Sequence, residues 1–438
     1  MTAFQPFDME RMMSRWENVV QYNLSESGVH PITVGELMDD PTMVEELLAT
    51  EVSYPQTNGT IELRERIAAL YPGAAPDNVL VTVGCAEANF TTTQTILATG
   101  DEMVVMLPNY MQIWGIGHNY GFRVRSFHLK EDRGWAPDLD ELNDVVSERT
   151  RLIAVCNPNN PTGYALTSEE MEAIVAAAER AGAWLLADEV YSGTERLTDI
   201  QTPSFWGRYD RVLAMNSLSK AYGLPGLRIG WVVGPADIVD EIWARHEYTT
   251  ISTTALANKL AAIALSPQMR SRLMQRTREH IRRGFPILDW WLENHEGTFA
   301  LVPPQAAAIA FARYRLEINS TEFVERLIRE KSVFVVPGDH FGLDHHLRIS
   351  FGLPADFLRA GLDRIHELIV ELQEQAGPGA SRGALSDRVS QHPRLAPKHA
   401  PVHSSTDQRC AIPMLPIATN YRSFLPLTGQ AWRSDPTL

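Results

Sequence analysis

Between about residues 60 and 235, short apolar runs alternate with helical stretches, and this alternation restricts the fold more than any other feature of the chain. Residues 78–83 read NVLVTV, 103–107 MVVML and 152–156 LIAVC, with further runs at 123–128, 184–187 and 212–215. Each run is short, and Gly and Pro punctuate the intervals between them. The segments between them read as helices, at 61–70, from Gly84 to Leu97 and at 168–181. The last opens on Thr167 or Ser168 as N-cap, with glutamates in its first turn. Near-continuous apolar strands need cover on both faces, which crossover helices supply. The pattern predicts an α/β protein with a large, mainly parallel sheet sandwiched by helices.

Further along, 238–265 and 267–294 read as long helices, 299–314, 333–337 and 347–351 as strands, and 357–375 as an amphipathic closing helix. The expected organisation is a segment 1–50 packing on a small domain, a large domain over 51–285, and a small α+β domain over 286–375. Residues 376–438 contain eight prolines, no glutamate, seven Lys or Arg and three Asp. That composition predicts a disordered tail. There is no internal repeat.

Composition narrows the function classes. A formal charge of −15 argues against nucleic acid, whose phosphates are bound through Lys and Arg. Cys85, Cys156 and Cys410 have neither CxxC spacing nor even pairing, which suits a reducing compartment and no cysteine-built metal site. The first residues lack an uninterrupted apolar core, and no uncharged run is long enough to span a bilayer. A soluble, cytoplasmic protein without nucleic-acid or membrane partners is expected.

Several short patterns lack their companions. Ser217-Leu218-Ser219-Lys220 fits S-x-x-K, but neither S-D-N nor K-T-G occurs. Asp188 and Glu189 end an apolar run as in an ATPase, yet no G-x-x-x-x-G-K-[ST] exists to hold phosphates. Gly115, Gly117 and Gly121 have the wrong spacing for a dinucleotide loop. His340, His345 and His346 lack a fixed spacing and a carboxylate companion, so no metal is expected.

Four elements remain, all at the ends of predicted strands. Val83-Gly84-Cys85-Ala86 marks a strand entering a helix, where free amides favour a phosphate. Residues 157–163, NPNNPTG, follow a buried run at the edge where α/β sheets bind ligands. Asp188 and Tyr191 place a carboxylate and a phenol three residues apart. Residues 216–230, NSLSKAYGLPGLRIG, supply two hydroxyls, an amine and a guanidinium. Singly, each has a bland reading as a turn or a solvated strand end. Jointly, one ligand could connect them.

With NPTG, D-x-x-Y, and a lysine followed eight residues later by arginine, residues 20–373 resemble a fold-type I, class I/II aminotransferase dependent on pyridoxal 5'-phosphate. The resemblance implies the PLP-dependent transferase fold and a Schiff base on Lys220. It implies that Ser217, Ser219, Arg228 and the amides of Cys85 and Ala86 hold the phosphate. Asp188 matches the acid at the pyridine nitrogen, Tyr191 and Asn160 the partners of the ring hydroxyl, and Tyr110 an aromatic stacked on the ring. Tyr54 matches a tyrosine reaching the neighbouring subunit's phosphate, which implies a homodimer. Arg348 matches the arginine that takes the substrate carboxylate, with Asn160 and Gly28 also at the substrate. Once free, Lys220 is expected to deprotonate easily, being desolvated beside a cationic ring.

The same machinery runs transamination, elimination or cyclisation, and transamination of an amino acid with a 2-oxo acid is the expected activity. Two departures bear on substrate. Ser25-Glu26-Ser27-Gly28-Val29-His30-Pro31 stands where most relatives carry a G-x-P loop, and Ala306-Ala307-Ala308 replaces a Gly-rich turn. The first of these resembles a branch that includes capreomycidine synthase, which implies elimination and re-addition as the alternative. A regulator that binds the cofactor without catalysis is a third reading. Against it stand the intact Lys220 and Asp188, and the few residues preceding the resemblance.

Overall fold

A computed structural model describes residues 4–375 apart from Asp39 and Glu296; the segment expected to be a disordered tail lies outside the described residues. The six expected strands assemble with two unexpected ones, Ile229–Val233 and Ala136–Pro137, into one eight-stranded sheet. In spatial order they are Val79–Val83, Ile229–Val233, Val212–Ser217, Trp184–Asp188, Thr150–Cys156, Glu102–Leu107, Arg123–Lys130 and Ala136–Pro137. The central strands run parallel, and Ile229–Val233 lies antiparallel to both its neighbours. Its insertion fits the sequence IGWVV, all of it buried. Five of these strands, among them the edge strand Val79–Val83, are buried almost throughout, as a sheet covered on both faces requires.

The helix Ser168–Ala181 begins at Thr167, whose side chain accepts from Glu170 N while Glu170 accepts from Thr167 N. It ends at Gly182, φ +61°, the left-handed stop that glycine adopts without strain.

A second, four-stranded antiparallel sheet is ordered Phe299–Ala300, Ile309–Tyr314, His346–Ser350 and Val336–Pro337. The amino-terminal segment joins the carboxy-terminal region through a short parallel ladder of Tyr22–Asn23 with Val333–Phe334. It continues when Ser350 N donates to Leu24 O and His30 N to Gly352 O.

Three expectations need correcting. The stretch 238–265 is two helices, Ala236–His246 and Ala255–Ala264, separated at a run of threonines where Ile251 takes φ +68°. β-Branched residues resist helix, and that left-handed position interrupts it. The stretch 299–314 breaks between Ala300 and Ile309, where Gln305 N and Ala306 N both donate to Gly163 O. A side chain at Gly163 would fall 2.5 Å from Ala306 O, so the NPNNPTG loop and this break fit only through glycine. The run 333–337 serves two sheets, Val333–Phe334 pairing with Tyr22–Asn23 and Val336–Pro337 with His346–Ser350. No helix among the described residues is long and apolar enough to cross a membrane.

Candidate active site

Strand register builds the first part of the site. Ser217 lies opposite Gly230, and Gly230 opposite Thr82, just before the helix Gly84–Ile96. A Cβ on Gly230 would sit 2.4 Å from Cys85 N, so the strand and the helix start touch through backbone alone. Gly84 takes φ +74°, and a Cβ there would overlap Arg228 Nη2. The guanidinium therefore lies directly against the helix start. No side chain caps the first turn of this helix, and amides in such a turn have no intrahelical acceptor. Ser217 Oγ accepts from Ser219 N at 3.2 Å. Cys85, Ser217 and Arg228 are thus brought to the helix start, with Ser219 N bonded to Ser217 and Ala86 next along the helix.

Glu87 braces that helix start from below. It accepts from Val83 N at 2.7 Å and Thr250 Oγ1 at 2.7 Å, and lies 3.1 Å from His246 Nδ1. Burial alone would raise its carboxyl. Bonds from His246, Thr249 and Val83 overcome that and hold it down to about 2.

Asp188 ends the strand Trp184–Asp188, opposite Cys156 on one side and Met215 on the other. It is buried, accepting from Val190 N at 3.2 Å and Asn89 Nδ2 at 3.4 Å. Burial pushes its carboxyl up to about 6. Tyr191 and Asn160 are buried on the loops that follow their strands. Tyr110 lies edge-on to Phe7, centroids 5.0 Å apart, and its hydroxyl donates to Glu10 at 2.8 Å. Phe7 and Glu10 belong to the start of the helix Asp8–Trp16, an element the sequence reading did not anticipate.

Arg348 is 1% exposed on the strand His346–Ser350. Its Nη1 donates to Asn160 Oδ1 at 3.0 Å and its Nη2 to Ser25 O at 2.6 Å, while Nε is buried without a partner. Lys220 Nζ donates to Glu26 Oε1 at 2.8 Å. The same oxygen accepts from Ser27 N and Gly28 N. Lys220 foremost holds the Glu26 carboxyl down to about 2. Conversely, burial would lower the Lys220 amine, but Glu26 and Tyr191 reverse this and the net shift is upward. The sequence alone does not place a carboxylate beside this amine; the expected ease of deprotonation concerns the amine beside a cationic ring.

The donor set fits pyridoxal 5'-phosphate. Two hydroxyls, helix-start amides and Arg228 suit a phosphate. A buried carboxylate suits a protonated ring nitrogen, and an unpartnered Arg348 Nε suits an incoming carboxylate. The model of the family described as aminotransferase class I and II matches residues 40–365. The chain belongs to the class I and II aminotransferases. This aminotransferase is 33% identical over 353 residues to capreomycidine synthase of Streptomyces vinaceus, covering 79% of this chain and 89% of that one. It is 29% identical over 343 residues to an arginine–pyruvate transaminase of Pseudomonas aeruginosa, covering 76% and 86%. Among solved structures it resembles a PLP-dependent aminotransferase from Streptococcus suis, with TM-score 0.79, 28% identity and coverage of 85% and 99%. It also resembles the PLP-dependent cyclase OrfR, with TM-score 0.76, 28% identity and coverage of 84% and 97%. The aminotransferase's cofactor is pyridoxal 5'-phosphate.

One expected residue stands apart from the rest. Tyr54 is 83% exposed, with Leu48, Val52, Tyr248 and Ile251 also exposed. Glu26 was missed as a site residue. A lone acid between two serines reads as a solvated loop charge, and only the fold brings it to Lys220.

Proposed function

We propose that this aminotransferase moves the amino group of an amino acid to a 2-oxo acid, with Lys220 as the residue bonded to the cofactor. The observation that carries the reading is the convergence of a buried Asp188, Lys220 and a buried Arg348 with an orphaned Nε beside one phosphate-suited helix start. When bound, pyridoxal phosphate supplies an electron sink for charge developing at the substrate Cα. Asp188 would hold a proton at the ring nitrogen, and Tyr191 and Asn160 would bond the ring hydroxyl. Arg348 orients the substrate by its carboxylate, for which a planar guanidinium is matched as an ammonium is not. The freed Lys220 amine takes and returns the Cα proton.

A homodimer is part of the proposal. Segment 40–60 packs beside the helices Ala236–His246 and Ala255–Ala264, with Trp243 Nε1 donating to Thr57 Oγ1 and Thr60 N to Asn258 Oδ1. The exposed apolar residues Tyr54, Val52 and Tyr248 lie in or next to these elements. A second copy would cover such a surface. Residues 51–285 and 286–375 are read as the large and small domains, and the cytoplasm as the compartment.

Titrating the purified, cofactor-loaded protein with a panel of amino acids tests the reading. Bleaching of the visible absorbance with equimolar 2-oxo acid supports transamination; no response to any amino acid overturns it. The loop bearing Glu26 beside Lys220, with the likeness to capreomycidine synthase, favours elimination and cyclisation as the second reading. Ammonia or a cyclic product without bleaching would decide for that.

A further inference from the structure

The loop around Glu26 touches both ends of the proposed amino-acid site. Ser25 O accepts from Arg348, and the next residue, Glu26, accepts from Lys220. An amino acid with its carboxylate on Arg348 and its amine near Lys220 therefore lies along this loop. Glu26 is the ionisable group of this loop that such an amino acid would pass.

In the working enzyme the Lys220 nitrogen is bonded to the cofactor for part of each cycle, and Glu26 then loses the ammonium that faces it. The amides of Ser27 and Gly28 still donate to the carboxylate and favour its charged form. Among the described residues, Lys220 is the cation at hydrogen-bond distance from Glu26. Arg348 acts on Glu26 only through its field, its own donors being turned to Asn160 and Ser25 O, while Glu17 is a further carboxylate nearby, pushed up by burial and then by Glu26 and Glu10. An anion left partly buried without a counter-charge is costly, and a ligand cation relieves that cost.

We propose that Glu26 binds a cationic group on the substrate side chain, a guanidinium or an ammonium, so that the amino donor is a basic amino acid. This rests on the roles proposed above for Lys220 and Arg348. A cationic side chain satisfies Glu26, whereas a neutral one leaves it unpaired and an acidic one meets like charge. The exchange has a second effect. With Glu26 engaged by substrate, the Lys220 amine no longer has a carboxylate holding a proton on it, and it becomes free to accept the Cα proton. Substrate charge and lysine basicity are thus coupled through one carboxylate.

The test uses full-length Lys220→Ala protein loaded with pyridoxal phosphate, which is expected not to turn over, and calorimetric binding of L-arginine, L-lysine and L-citrulline. Citrulline replaces the guanidinium with a neutral urea of nearly the same shape. L-Arginine is expected to bind about 30-fold more tightly than citrulline, as for a charge paired with a partly buried carboxylate. Lysine separates a guanidinium preference from an ammonium one. Adding Glu26→Gln should reduce the arginine-to-citrulline ratio to within about 3-fold. Equal affinities without the Glu26 change, or a ratio that survives Glu26→Gln, overturn the inference. In the unsubstituted enzyme, turnover of neutral amino acids with no preference for arginine overturns this inference alone. A cofactor absorbance that responds to no amino acid overturns the transamination reading with it.

Discussion

Arg348 Nη1 donates to Asn160 Oδ1 at 3.0 Å, joining the middle of the four-stranded sheet to the NPNNPTG loop of the eight-stranded one. The bond fixes the guanidinium plane without using Nε, which keeps that donor for a ligand. Replacing Arg348 by Lys keeps the charge but loses the fork. We expect kcat/KM for the preferred amino acid to fall by about 100-fold, mostly through KM. Steady-state kinetics check this, and an unchanged KM would remove Arg348 from substrate binding.

Asp188 is ionised only at a cost. Burial raises its carboxyl to about 6, so the cofactor-free fold binds a proton that the unfolded chain releases at lower pH. Its contribution to stability is full below pH 4 and lost as pH rises through about 6. Asp188→Asn should therefore stabilise the cofactor-free protein at pH 7.5, by up to about 3 kcal/mol, while severely reducing turnover. Denaturant melts at pH 4 and 7.5 test the sign. A variant no more stable at pH 7.5 than the parent would show that burial does not govern this carboxyl.

Glu87 works in the opposite sense. Its hydrogen bonds hold the carboxyl down to about 2, so its contribution is present above pH 4.5 and fades as pH falls toward 2. Glu87→Ala should cost about 2 to 3 kcal/mol at neutral pH, and the deficit should shrink in acid. It should also weaken cofactor retention, because Glu87 anchors the helix start beside Arg228. Equilibrium dialysis of the variant with pyridoxal phosphate measures that.

Lys220→Ala should abolish turnover and the borohydride-fixable mass of the cofactor. In the cofactor-free protein it also strands Glu26. A double-mutant cycle with Glu26→Gln should give a coupling of about 1 kcal/mol, modest because both side chains keep some exposure to water. Additive effects would mean that the ion pair does not form in solution.

Tyr54 is 83% exposed, so Tyr54→Ala should leave the melting of the isolated chain almost unchanged. If a second copy supplies it to the phosphate, the same change should lower cofactor affinity by about 10-fold. Sedimentation of the parent as a monomer with full activity would contradict this.

The sheet was legible because its strands are short, apolar and bounded by turn residues, and residues 152–156, 184–188 and 212–217 follow that pattern closely. Ile229–Val233 was less legible because no Gly- or Pro-bounded helix separates it from the preceding strand, only the short turn Pro225–Leu227 and Arg228. The break after His246 was hidden by strong helical patterns on both sides. Within the site, Lys220, Asp188 and Arg228 declared themselves through spacing along single segments. Glu26 and Glu10 could not, since their partners lie 194 and 100 positions away. Separations of that size leave no local period in a sequence.

Ser25 and Arg348 are 323 positions apart in the chain yet share a hydrogen bond. During synthesis, the segments that gather around the phosphate site, from Gly84 to Arg228, leave the ribosome well before Arg348 does. A nascent chain can therefore build its cofactor cradle early while its carboxylate clamp is still missing. The proposed site is therefore complete only once the strand bearing Arg348 has been made, so amino-acid binding reports on the join between the two sheets as well as on the cofactor cradle.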